Sequence, residues 1–162
     1  MEPQTEEVTA AVEESKTETY KSYLILHNVG KKKNVGTIVR SACAFNLEKV
    51  FLVSKGVGTK KYKPEKDFNF FGNQNTAAQI DYYAFGSLKE AKEYFVQNKI
   101  YVCGIEIMES AQSINKHPFL GSTAFLLGNE GTGLTDQQKA ICDHFVYIPQ
   151  YTNKTASLNI AV

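Results

Sequence analysis

Apolar residues fall into two kinds of run along this chain. Five runs are short, rich in Val, Ile, Phe and Tyr, and barely alternating: YLILH (Tyr23–His27), KVFLV (Lys49–Val53), IYVCGIEI (Ile100–Ile107), TAFLLG (Thr123–Gly128) and HFVYIP (His144–Pro149). Strands buried on both faces have this pattern, because neither face needs polar side chains. The other runs repeat at helical spacing. In NVGTIVRSACAF, Val35, Ile38, Val39 and Ala42 form one apolar stripe, and Arg40 falls off it beside Thr37 and Ser41. SLKEAKEYFVQN turns Leu88, Ala91, Tyr94 and Phe95 inward and opens with Ser87 and Glu90 at capping-box spacing. TDQQKAIC is a shorter helix, capped by Thr135 or Asp136. Strand, helix and strand in succession predict right-handed parallel crossovers, hence a single-domain α/β fold with a mostly parallel sheet and helices on both faces. The stretch from Ser54 to Gln79 follows neither pattern and reads as one long irregular loop, of a length that is usually functional or disordered.

With 162 residues, 43% of them hydrophobic, the chain can bury one core of ordinary size, and two domains would be cramped. No apolar run approaches the ~20 residues of a membrane helix. Residues 1–21 are polar and hold six Glu against Lys16 and Lys21, and they lack the apolar centre of a secretion signal. They read as a disordered acidic tail, with residues 22–162 as the folded domain, in a cytoplasmic or nuclear protein. Setting the tail aside leaves 16 basic and 11 acidic residues of the 18 and 17 in the whole chain, so a net charge of +1 conceals a domain of about +5. That charge is compatible with an anionic partner. Cys43, Cys103 and Cys142 are odd in number and lie in apolar surroundings, which reads as reduced core thiols. His27, His117 and His144 form no ligand spacing with them, and no metal site is expected.

Ligands bind at the carboxyl ends of strands in open parallel sheets, and three loops at such ends have unusual composition. HNVGKKKNVG sets Lys31, Lys32 and Lys33 ahead of a helix carrying Arg40, which could hold a phosphate; a solvated basic loop is an equal alternative. GNEGTGL packs three Gly into six residues, which lets backbone amides approach a ligand closely, yet it matches neither phosphate-loop fingerprint. PQYTNKTASLN is the third. Within the long loop, KKYKPEKDFNFFGNQN mixes basic and aromatic residues as a base-stacking surface does, although Phe68, Phe70 and Phe71 could equally serve packing.

Taken in order, these loops resemble the three motifs of the SpoU-type (TrmH-like) group of the SPOUT superfamily, the S-adenosylmethionine-dependent ribose 2′-O-methyltransferases of tRNA and rRNA. The first stands here as Asn34, Gly36, Arg40, Ala42 and Phe45, with Asn46 in place of a final Gly; the second is LLGNEGTGL; the third is Ile-Pro followed by Ser-Leu-Asn in IPQYTNKTASLNIAV. The resemblance runs from about Tyr23 to Val162. It implies a trefoil-knot fold whose S-adenosylmethionine pocket is lined by Gly128, Asn129, Ile148 and Leu158, with a possible contact from Gly104 and Ile105. It assigns Arg40, Asn34, Glu130, Ser157 and Asn159 to the catalytic centre, and with RNA implied as substrate, the basic charge of Lys31, Lys32, Lys33 and Arg40 is expected to bind it. Guanidinium groups are not deprotonated in proteins, which favours Arg40 as phosphate clamp and alkoxide stabiliser over general base, with a substrate phosphate taking up the proton.

Two features depart from the family pattern. QYTNKTA, between Ile-Pro and Ser-Leu-Asn, lacks the usual Gly, and the C-terminal helix that completes the knot and builds much of the family's homodimer is missing from this sequence. The resemblance therefore implies a C-terminally truncated domain, homodimeric in its full-length form. The leading reading is 2′-O-methylation of structured RNA, with a lean to tRNA over rRNA. A non-catalytic RNA-binding or scaffolding member of the same fold is the alternative, whereas a Rossmann oxidoreductase or an NTPase lacks its fingerprints.

Overall fold

The computed structural model describes residues 19–29, 32–55, 60–62, 79–152 and 158–161, with the backbone alone for 32, 33 and 60–62. Nearly all of the expected acidic tail, and Phe68, Phe70 and Phe71, lie outside the described residues.

Among the described residues eight strands form one sheet: β1 (Ser22–Leu26), β2 (Lys49–Val53), β3 (Lys60–Tyr62), β4 (Asp81–Phe85), β5 (Tyr101–Ile105), β6 (Gln112–Ser113), β7 (Thr123–Leu127) and β8 (His144–Tyr147). Their spatial order is β3-β4-β2-β1-β7-β5-β8-β6. Every neighbouring pair is parallel except β3 with β4, so seven strands run one way and an antiparallel edge strand closes the β4 side. The α/β architecture with a mostly parallel sheet is as the hydrophobic pattern predicts.

Among the described residues three α-helices cover the sheet: α1 (Lys32–Ala44), α2 (Leu88–Gln97) and α3 (Asp136–Ile141). Following β1, α1 leads leftward to β2, whereas α2 leads from β4 back across to β5. Two right-handed crossovers taken in opposite directions put their helices on opposite faces. The core is accordingly double. On one face, Val35, Ile38, Val39 and Ala42 of α1 pack on Leu24, Leu26, Val50, Leu52, Tyr82 and Ala84. On the other, Ala91 and Phe95 of α2 and Ile141 of α3 pack on Ile25, Phe51, Phe85, Val102 and Leu126. Phe51 anchors this second core, with ring centroids of Phe95, Tyr23, Tyr94 and Phe85 at 4.9, 5.4, 5.7 and 5.8 Å. Burial pushes the Cys103 and Cys142 thiols up to about 12, as expected of inert core cysteines.

The helix starts follow their capping chemistry. Thr135 caps α3 with a reciprocal box to Gln138. Ser87 caps α2 by accepting from the Glu90 amide at 3.2 Å, and the Glu90 carboxylate accepts from Gly86 at 3.1 Å, one residue before the position a capping box uses.

Several expected boundaries change. β5 stops at Ile105 rather than Ile107, which moves Glu106 and Ile107 from strand to loop. α1 begins at Lys32, so Lys32 and Lys33 are its first residues and do not precede it. β4 (DYYAF) is an additional strand, and β3 interrupts the stretch read as an unbroken loop from Ser54 to Gln79. Lys60–Tyr62 carries no strand pattern of its own; pairing with β4 recruits it, which no local window contains.

Candidate functional site

β1 and β7 are spatial neighbours but distant in sequence, and the chain departs from this pair in opposite directions. A cavity of about 740 Å³ lies between α1 and the segments that follow β5, β7 and β8 at the carboxyl ends of those strands. Its floor is the α1 face of the sheet, from Leu24 under α1 to Phe125, Leu127 and Ile105. One wall is α1, with Ile38, Ser41 and Ala42, and Phe45 just past its end; the others are Glu106–Ile107, the loop Gly128–Gly133, Tyr147–Ile148 with Gln150, and Leu158–Ala161.

The Gly-rich loop is rigid by construction. Asn129 and Gly133 exchange backbone hydrogen bonds of 2.9 and 2.8 Å, closing residues 129–133 into a tight turn. The Asn129 carboxamide stitches that turn to its surroundings: Oδ1 accepts from Gly131 N at 2.9 Å, and Nδ2 donates to Asn28 O at 3.2 Å in the loop after β1. Gln138, fully buried, adds a second tie by donating to His27 O at 3.3 Å. Gly128 has no room for a side chain, since a Cβ would sit 2.7 Å from Gly133 C and 2.8 Å from Leu134 N. Gly133 adopts φ +67°, a conformation that favours glycine.

Of the residues anticipated from sequence, Gly128, Asn129, Glu130, Ile148, Leu158 and Asn159 all line this one cavity. Asn159 Oδ1 accepts from Ala161 N at 2.9 Å, which folds the Leu158–Ala161 turn against the α1 core. The backbone at Gly104 does not reach the cavity: strand alternation turns it to the opposite face, where a Cβ would strike the Phe145 ring at 2.7 Å. Ile105 does line it. Arg40 is exposed on α1, outside the cavity lining and off the buried stripe. Asn34 lies in the first turn of α1, only 8% exposed, and its Nδ2 has no hydrogen-bond partner among the described residues. Lys31 and Ser157 lie outside the described residues, as do the side chains of Lys32 and Lys33.

Two features of the site were not singled out from sequence. Glu106 lines the cavity and its Oε2 accepts from Leu134 N at 2.7 Å. Its signal was an acidic residue at the carboxyl end of a parallel strand, concealed by extending that strand to Ile107. His27, at the end of β1, has a buried Nδ1 without a partner among the described residues, and desolvation holds its pKa below the usual imidazole value.

The cavity offers apolar walls and two carboxylates, those of Glu106 and Glu130. The Glu130 Oε1 atom is buried and lacks a hydrogen-bond partner among the described residues, an acceptor that is costly to leave unsatisfied. Such a lining suits a ligand with a flat apolar ring system and a cationic or hydroxyl-bearing portion, at a volume ordinary for small-molecule sites. Among the described residues no three His, Cys, Asp or Glu side chains gather as metal ligands, and no helix is long and apolar enough to cross a membrane.

Comparison with known proteins gives a consistent picture. Residues 21–162 match the model of the SpoU rRNA Methylase family. The 23S rRNA (guanosine-2′-O-)-methyltransferase RlmB of Acinetobacter baylyi is 29% identical over 139 residues, covering 86% of this chain and 54% of that protein. The chain thus spans about half the length of the curated relative it matches. Among solved structures, the SpoU methyltransferase AviRb from Streptomyces viridochromogenes, in complex with the cofactor AdoMet, aligns with a TM-score of 0.72 at 20% identity, over 89% of this chain and 53% of that one. The TrmH/SpoU tRNA modifying enzyme from A. aeolicus aligns at 0.66 and 16% identity, over 88% and 68%. At these identities the structural likeness speaks for the fold.

Proposed function

This chain belongs to the SpoU rRNA Methylase family, and from that premise we propose that it takes part in S-adenosylmethionine-dependent 2′-O-methylation of a ribose in structured RNA. The observation that carries the reading is convergence: six residues from the second and third motifs, separated by up to 31 positions in sequence, line a single cavity at the carboxyl ends of the parallel strands. When bound, S-adenosylmethionine supplies a methyl group activated on a sulfonium centre. The chain's own contribution is binding, alignment and charge.

The apolar walls from Leu24, Ile38, Ile105, Leu127 and Ile148 fit the adenine ring, and Gly128, whose missing side chain lets its loop pack closely on itself, borders the same space. The unsatisfied Glu130 Oε1 accepts a hydrogen bond from a ligand hydroxyl or amino group. Arg40, solvent-facing on the helix that forms one wall, clamps an RNA phosphate and stabilises oxygen charge as the ribose hydroxyl loses its proton. Asn34 orients the ribose or Arg40, and Ser157 and Asn159 organise the same centre. Lys31, Lys32 and Lys33 add affinity for the RNA backbone. The domain spans residues 22–162 and works as a homodimer, in the cytoplasm or the nucleus.

The test is direct. Isothermal titration should show S-adenosylmethionine binding, and tritiated methyl transfer to separate tRNA and rRNA pools should identify the substrate class, with protection of one ribose from alkaline cleavage proving the 2′-oxygen as acceptor. Binding without transfer to either pool would favour a non-catalytic RNA-binding member of the fold; no binding would remove the reading for this chain.

A further inference from the structure

Glu106 occupies a junction. Its backbone N–H donates to Val146 O at 3.0 Å, tying the end of β5 to β8. Its carboxylate reaches the other way, with Oε2 accepting from Leu134 N at 2.7 Å where the Gly-rich loop after β7 turns toward α3. One residue therefore joins three of the chain segments that border the cavity, and Ile105 and Ile107 on either side of it line the same space. The carboxylate packs where a side chain at Gly133 would stand: a Cβ there would lie 2.5 Å from Glu106 Oε2 and 3.0 Å from Oε1, so a larger residue would push the carboxylate aside. The φ of +67° independently favours glycine at 133.

We propose that Glu106 is a positioning residue for cofactor binding: its carboxylate holds the 128–134 loop against the end of β5, and the loop so held presents Gly128 and Glu130 to the ligand. The inference rests on the reading of this cavity as an S-adenosylmethionine site. A hydrogen bond from an amide to a carboxylate is stronger than one between neutral groups. Without it, the turn keeps its internal Asn129–Gly133 pair but loses its anchor to β5, so the loop persists as a unit while its placement relaxes. The conservative variant separates geometry from charge, because a glutamine at 106 still offers an oxygen to Leu134 N but carries no charge.

The experiment compares wild type, Glu106→Ala and Glu106→Gln by amide hydrogen exchange in ligand-free protein and by isothermal titration with S-adenosylmethionine. In Glu106→Ala, exchange at the Leu134 amide should rise about tenfold or more, the size of one lost charge-assisted bond, and affinity should fall by about tenfold. Exchange in the Phe51 core should stay unchanged, which shows that the variant folds. Glu106→Gln should recover most of both. Wild-type affinity in Glu106→Ala would overturn the proposal, as would a glutamine variant that protects Leu134 yet binds as poorly as the alanine one, since charge at the ligand would then be the operative property. Failure of wild type itself to bind would instead overturn the reading of the cavity, and the exchange data would still report whether Glu106 anchors the loop.

Discussion

Replacing Gly128 by Ala adds one methyl group where the backbone of its own loop already stands. The new Cβ would lie 2.7 Å from Gly133 C, 2.8 Å from Leu134 N and 3.0 Å from Gly133 Cα. Against ordinary van der Waals contact, which begins near 3.4 Å, the shortfall is roughly 0.4–0.7 Å. No flexible side chain can yield, because all three atoms are backbone, and that backbone is held by the Asn129–Gly133 pair and by Glu106. Overpacking of this kind costs about 1–3 kcal/mol. For a domain of this size it should lower Tm by roughly 2–12 °C. The moved loop also carries the cavity wall, so S-adenosylmethionine affinity should fall in parallel. Gly131 supplies the control in the same turn, since a Cβ there would meet only Asn129 Oδ1, at 3.6 Å, and its φ is not positive. Gly131→Ala should stay within about 0.5 kcal/mol of wild type. Differential scanning fluorimetry and isothermal titration read both variants. Wild-type Tm and affinity in Gly128→Ala, or equal losses in the two variants, would refute the argument that close approach rather than generic flexibility selects glycine at 128.

Arg40→Ala should abolish methyl transfer yet leave cooperative unfolding within about 1 kcal/mol of wild type, because the residue is exposed and off the buried stripe of α1; a chain that no longer unfolds cooperatively would show a structural role instead. Replacing Lys31, Lys32 and Lys33 together by Ala should reduce the slope of log affinity for RNA against log salt by about 2–3, if each lysine neutralises about one phosphate, and an unchanged slope would make them solvated surface. Desolvation depresses His27 and His144 in the folded state, for His144 against an opposing pull from Asp143. The folded state then binds fewer protons than the unfolded one, so their contribution is present above the ordinary imidazole pKa of about 6.5 and is lost as pH falls below it. Tm should drop on acidification from pH 7 to 5, and His27→Gln together with His144→Gln should flatten that drop; an unaltered profile would assign acid sensitivity to other groups.

The sequence by itself determined the class of fold and the layers. Runs of unalternating β-formers can be stable only inside a sheet covered on both sides, and the stripes of α1 and α2 state which faces do the covering, so β1, β2, β5, β7 and β8 were legible to within one or two residues. The Gly-rich segment after β7 was legible from its composition, whereas Ser-Leu-Asn took its meaning from the family resemblance. Tertiary structure alone decided the rest. β3 exists because β4 offers it an edge, and Gly104 faces Phe145 and Cys142 because β8 and the end of α3 pack beside β5. The placement of β7 between β1 and β5 opens the cavity and brings Gly128, Ile148 and Leu158 to one surface. Glu106 shows the reason most clearly: its partner is 28 residues away, and a hydrogen bond across that separation depends on strand order, which local pattern does not encode.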